Sequence, residues 1–220
     1  MRSRLLLAGT LAAAAVLAGG CGGGDWSEPR PRAGAEGTLG PGFVDPAAPP
    51  APEATVTPRP GSWDRVGPSK GYRVVLLTAG SRLQTRTLVS AVRKWAGEEH
   101  VSLRTITATR PDQYVPSIGR AIGLAPHLII SVGDDLIDPL AMVTPSHLGQ
   151  QFLVVGAELA EPTANVTAAD WTGASFRGEG LGMSSKYDPA TFTPERAARA
   201  VRAGTAAVLT GRTGIVIWLS

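Results

Sequence analysis

Apolar residues in this chain change rhythm about every ten to fifteen positions, and each change marks an element. Arg73-Val74-Val75-Leu76-Leu77-Thr78 is a nearly continuous apolar run, the pattern of a strand buried on both faces. Ala79-Gly80-Ser81 turns the chain. Leu88, Val92 and Trp95, with Ala91 and Ala96 beside them, then share one helical face up to Gly97. Val101 to Thr107 predicts a second strand, and Tyr114, Ile118, Ala121 and Ile122 a second helix ending at Gly123. His127 to Val132 is a third buried strand. Asp134 or Asp135 is placed to cap a short helix through Leu136, Leu140 and Val143, which Pro145 stops. Phe152 to Val155 and Asn165 to Trp171 predict strands four and five. Thr193-Pro194 opens a further helix, threonine as cap and proline at the first helical position, running to near Gly211. Gly214 to Leu219 is the sixth strand. Strands alternating with helices require crossovers, so residues 71–220 are expected to form one α/β domain. Its fold is a doubly wound, mostly parallel sheet of about six strands.

Ahead of this domain the period disappears. Arg2 and Arg4 precede the apolar run Leu5 to Ala18, and small residues lead into Cys21. That is the charge, length and cleavage pattern of a secretory signal over residues 1–20, too short for a comfortable membrane span. Leu17-Ala18-Gly19-Gly20-Cys21 resembles the lipobox read by signal peptidase II, which makes Cys21 the expected lipidation site. The expected location is the extracytoplasmic face of the cell membrane. Residues 21–70 are rich in proline, glycine and alanine and read as a semi-rigid spacer of polyproline II type. Trp26, Phe43 and Trp63 stand in it singly.

Composition removes several function classes. A net charge of +3 with no basic stripe interleaved with aromatics argues against nucleic acid. Cys21 is the only cysteine, so its lipidation leaves no thiol for a disulfide, a metal or catalysis. His100, His127 and His147 are not spaced to pair with a serine or to converge on a metal. No Gly-x-Gly-x-x-Gly follows the first strand and no Walker sequence occurs, while Gly178 to Gly182 sits in a loop after the fifth strand. The chain is therefore expected not to be an enzyme, and no cofactor is implied. In a doubly wound sheet, ligands bind beyond the carboxyl ends of the strands. The polar and aromatic residues expected there are Ser81, Asp134, Asp135, Glu158 and Trp171. Carboxylates there accept hydrogen bonds from a sugar or amine. Ser81 stands at a helix N-terminus, a suitable place for an anion, and Trp171 can stack on a ring. Helix capping by Ser81 and one of the aspartates, and rim packing by Trp171, are the competing readings.

Several motifs, in their order, resemble one family. Pro126 to Asp134, Gln151 to Gly156 and Asn165-Val166-Thr167 are similar to segments of the basic membrane protein family of ABC-transporter substrate-binding lipoproteins. Ser175-Phe176-Arg177-Gly178-Glu179 resembles its Phe-Arg-x-Glu segment, and Ala203 to Val216 its helix, turn and strand before the hinge. The resemblance implies a single lobe of type I periplasmic-binding-protein shape, corresponding to the family's first lobe. It also implies a nucleoside-like solute, and an ABC permease or a second subunit as partner. Ala79 to Thr85 departs from it, lacking the acid and aromatic that the family carries after its first strand. The expectation is a lipid-anchored solute-binding lobe. The alternative is an envelope interaction lipoprotein that kept the fold without the ligand site.

Overall fold

The computed structural model describes residues 26–174 and 176–220; Cys21 and the signal segment lie outside the described residues. Nine strands and four α-helices follow one another in the described chain. Three two-residue strands come first: β1 (Ala35–Glu36), β2 (Thr55–Val56) and β3 (Gly67–Pro68). Then come β4 (Arg73–Ala79), α1 (Leu83–Glu98), β5 (Ser102–Ala108), α2 (Tyr114–Gly123) and β6 (Leu128–Val132). They are followed by α3 (Ile137–Val143), β7 (Gln151–Val155), β8 (Val166–Trp171), α4 (Pro194–Leu209) and β9 (Val216–Leu219). All six strands read from the sequence are present.

The main sheet has seven strands in the order β2-β9-β8-β7-β6-β4-β5, all parallel. Every residue of β4 and β6 is buried, in keeping with their nearly continuous apolar runs. The pleat sorts the side chains. Val74, Leu76, Leu128, Ile130 and Leu153 face α1 and α4, whereas Val75, Leu77, Ile129, Phe152 and Val154 face α2 and α3. Helix α1 buries Leu88, Ala91, Val92, Trp95 and Ala96, all on the 3.6-residue stripe its sequence carries. Thr193 caps α4 as read, its Oγ1 accepting from the Arg196 N–H at 3.2 Å.

Two expectations fail on local geometry. Neither Ser81, Asp134 nor Asp135 caps a helix. The residue before α1 is an extended Arg82, and the one before α3 is Leu136, neither making a side-chain cap bond. The second failure concerns residues 26–70, which do not form a free spacer. Phe43 and Trp63 are buried in the α1/α4-side core at 1% and 4% exposure, and Trp26 is buried on the other side. Two arms of this segment bond to each other, the Gly40 N–H to Ser62 O and the Arg59 N–H to Gly42 O at 2.8 Å. β1 pairs antiparallel with β3, and β2 joins the sheet edge beside β9. Burial of three isolated aromatics holds a segment that has no apolar period of its own.

Candidate functional site

The chain leaves β4 for β5 on one side, while β6 and the later strands build on the other. The crevice beyond the carboxyl ends of β4 and β6 is thus the topological switch point of the sheet. Gly80 follows β4 at φ 71° and Gly133 follows β6 at φ 79°. The positive φ favours glycine at position 80, and a Cβ there, 2.6 Å from Asp135 Oδ2, would push that carboxylate aside.

Between these loops Arg82 meets both aspartates. Its Nη1 donates to Asp134 Oδ2 at 3.2 Å, its Nη2 to Asp134 Oδ1, and Nη2 also to Asp135 Oδ2 at 3.0 Å. The Asp134 hydrogen bond, more than any other influence, pushes the guanidinium pKa further up and keeps it charged. The arginine side chain is 45% exposed, so the pair adds little stability. Two carboxylates against one guanidinium leave this crest net negative. Tyr114 and Tyr187 stand beside it, both phenols raised chiefly by loss of solvent and further by the Asp134 and Asp135 charges.

Below the crest the crevice is nearly full. Arg82, Thr85, Asp134, Gly156, Tyr187 and Phe192 enclose about 10 Å³, room for at most about one water molecule. Gly156 at φ 79° permits this packing, since a Cβ there would come within 3.1 Å of Phe192 and 3.3 Å of Trp171. Larger recesses lie around it. One of about 390 Å³ borders Tyr187, Lys186 and Asp188, and one of about 660 Å³ is an open groove between α1 and α4. The chemistry gathers at the small one.

The five expected ligand residues separate into distinct environments. Asp134 and Asp135 come together with Arg82, and Ser81 is exposed one residue before it. Glu158 is buried with its own cation, its Oε1 3.1 Å from Arg177 Nε, and Ser184 Oγ donates to it at 3.5 Å. Burial raises the Glu158 pKa, against the opposing pull of Arg177. Trp171 offers no open ring face. It is 0% exposed, its Nε1 donates to Thr191 Oγ1 at 3.0 Å, and it meets Phe192 edge-on at 5.1 Å. In this structure it is a core residue beneath the 187–193 segment, so neither stacking on a ligand ring nor rim packing describes it.

Sequence reasoning missed Arg82, Tyr187, Phe192 and Arg177. A guanidinium one turn past the first strand, with an Asp pair past the third, was an available signal for Arg82. The aromatic pair came from a loop without period. Asn165 has a structural part, its Nδ2 donating to Gln150 O and His147 O at 3.0 Å each, which fastens the loop before β7. Among the described residues no group of His, Cys, Asp and Glu is placed to hold a metal, and no helix is long and apolar enough to cross a membrane.

No family model matches the chain, and no curated protein matches it. The resemblance to the basic membrane protein family therefore stays a likeness of motifs and their order. Solved structures share part of the architecture. A solute-binding protein of an ABC transporter system from Aeropyrum pernix K1 is 20% identical over 46% of this chain, with TM-score 0.42. The matched part spans only 29% of that protein's length. A fragment described as a lipoprotein, from Peptoclostridium difficile 630, is 16% identical over 63% of this chain and 98% of its own, with TM-score 0.46. A periplasmic ribose ABC transporter protein from Conexibacter woesei DSM 14684 is 13% identical over 68% of this chain and 54% of its own, with TM-score 0.38. At these identities and scores the likeness carries no statement about ligand or partner.

Proposed function

We propose that this chain is a lipid-anchored, extracytoplasmic binding lobe, not an enzyme, that takes a small polar solute at the crest formed by Arg82, Asp134 and Asp135. The observation that carries the reading is the meeting of those three charged groups at the switch point between β4 and β6. Guanidinium and carboxylates there supply donors and acceptors together, suited to a hydroxylated or amine-bearing solute such as a nucleoside. Tyr187 and Tyr114 supply flanking rings. A second subunit would cover the side of the solute left open to water.

A second reading has its own observation. The crevice holds only about 10 Å³ and Trp171 is sealed, as expected of an envelope interaction lipoprotein that kept the fold without a ligand. A thermal-shift screen of residues 26–220 against nucleosides, sugars and amino acids separates the two. A solute at a hundred times its dissociation constant stabilises by about 2.7 kcal/mol. That is a rise of roughly 5–10 °C for a chain of this size. Arg82→Ala and Asp134→Asn should remove the rise. If no solute raises the melting temperature, the interaction reading leads.

A further inference from the structure

Residues 26–33 form a strap across the starts of three strands. Trp26 Nε1 donates to the Ser102 hydroxyl, at the first residue of β5, at 2.8 Å. The Trp26 ring packs against two guanidinium groups, Arg104 at 4.7 Å and Arg73 at 5.5 Å from its centroid. Arg73, the first residue of β4, donates from Nη1 to Glu28 O at 2.9 Å. Arg30 donates to Pro126 O at 2.7 Å. His127, just before β6, accepts the Arg73 backbone N–H on Nδ1 and donates from Nε2 to Pro31 O, both at 2.9 Å. All these contacts lie at the amino-terminal end of the sheet. The crest of Arg82, Asp134 and Asp135 lies at the other end, the seven residues of β4 away, or about 23 Å.

Cys21 precedes Trp26 by five residues, which span at most about 18 Å when fully extended. A polyproline II spacer over residues 21–70 would have let the domain range about 150 Å from its lipid. We propose that the amino-terminal end of the sheet is the membrane-facing end of the lipidated protein, held close to the bilayer surface by the strap, with the Arg82 crest turned outward. This rests on the lipid-anchor part of the function proposed above. Its consequence is directional. Solutes or partners reach the crest from outside, while a permease in the same membrane meets the opposite end of the sheet.

The test uses the full lipidated chain in phosphatidylcholine vesicles whose headgroups carry an acceptor dye. Lipidation caps Cys21, so a cysteine introduced by Lys70→Cys or Asp112→Cys is the single free thiol for a donor dye. Lys70 is exposed just before β4 and Asp112 is exposed beyond the end of β5. The height difference of about 23 Å should give at least about twofold more energy transfer from position 70 than from position 112. Inserting about 40 Gly and Ser residues between Gly24 and Asp25 leaves every strap contact intact and adds roughly 35 Å of flexible reach, so the difference should collapse. Equal transfer from both positions overturns the orientation alone, provided the protein incorporates a palmitate analogue and floats with vesicles. So does greater transfer from position 112, or a difference that survives the insertion. If the wild type takes up no palmitate analogue and Cys21→Ser floats as the wild type does, the lipid anchor and the orientation fall together.

Discussion

Replacing Phe43 with alanine asks whether residues 26–70 belong to the fold or merely trail from it. Phe43 is 1% exposed and sits in the same core as Trp63, Tyr72, Leu88 and Trp95. A buried phenylalanine hides about 200 Å². At about 25 cal/mol per Å² that is worth about 5 kcal/mol of transfer energy. Residual burial in the denatured chain lowers the figure and the cavity left behind raises it, so the expected loss is about 3–5 kcal/mol. For a domain of this length each kcal/mol moves the melting temperature by about 2–4 °C, so Phe43→Ala should lower it by roughly 6–20 °C. Circular-dichroism melts of the wild type, Phe43→Ala and an exposed control from the same segment, Glu36→Ala, make the measurement. The control should stay within about 0.5 kcal/mol of the wild type. Limited proteolysis guards against a local escape in which the segment peels off while the sheet stays folded. Suppose Phe43→Ala melts within about 2 °C of the wild type and protease trims residues 26–70 from an intact domain. The burial argument is then wrong and the spacer expectation is restored.

Two pH experiments test the electrostatics. His127 is neutral in the fold and its pKa is lowered from 6.5, mainly by burial, so the unfolded chain takes up the proton first. Stability should therefore fall as pH drops below 6.5, until the folded ring itself protonates. His127→Gln should flatten that slope in melts from about pH 8 to about pH 5, and parallel curves would refute the assignment. Glu158 has the opposite sign. Its pKa is raised above 4.5 by burial, so the stability associated with its protonated form is lost as pH rises through the folded value. Glu158→Gln should thus melt no lower than the wild type at about pH 8, and any gain should vanish below 4.5. A clearly lower melting temperature at the alkaline end would mean that the Arg177 pair outweighs desolvation.

The six long strands and the buried faces of α1 and α2 were legible because each repeats its apolar signal over several residues, while α4 was legible from its Thr193-Pro194 start. What was hidden depends on partners far away in sequence. Thr55–Val56 is too short to show a period, and its partner Val216–Ile217 lies about 160 residues on. Phe43 and Trp63 look like chance aromatics until the arms 40–43 and 59–62 are seen bonded together. Asp134 and Asp135 were found but given the wrong neighbour. Capping logic assigned one to the following helix, while the actual competitor, Arg82, holds both from another loop. Trp171 was placed correctly at the end of its strand. Its burial is decided by Thr191 and Phe192, which pack over it from a loop that periodicity does not describe.

The pairing of β2 with β9 also sets a clock. Residue 55 leaves the ribosome early, yet its partner at 216 comes about 160 residues later, roughly 10–30 s at ordinary elongation rates. Closing a loop of that length costs about 4–5 kcal/mol of chain entropy before any contact repays it. Residues 26–70 therefore wait, with Phe43 and Trp63 exposed, until α4 and β9 complete the surface on which they lie. Assembly should be slow and cooperative, as expected for so non-local a contact set. The waiting segment is the part most open to a chaperone.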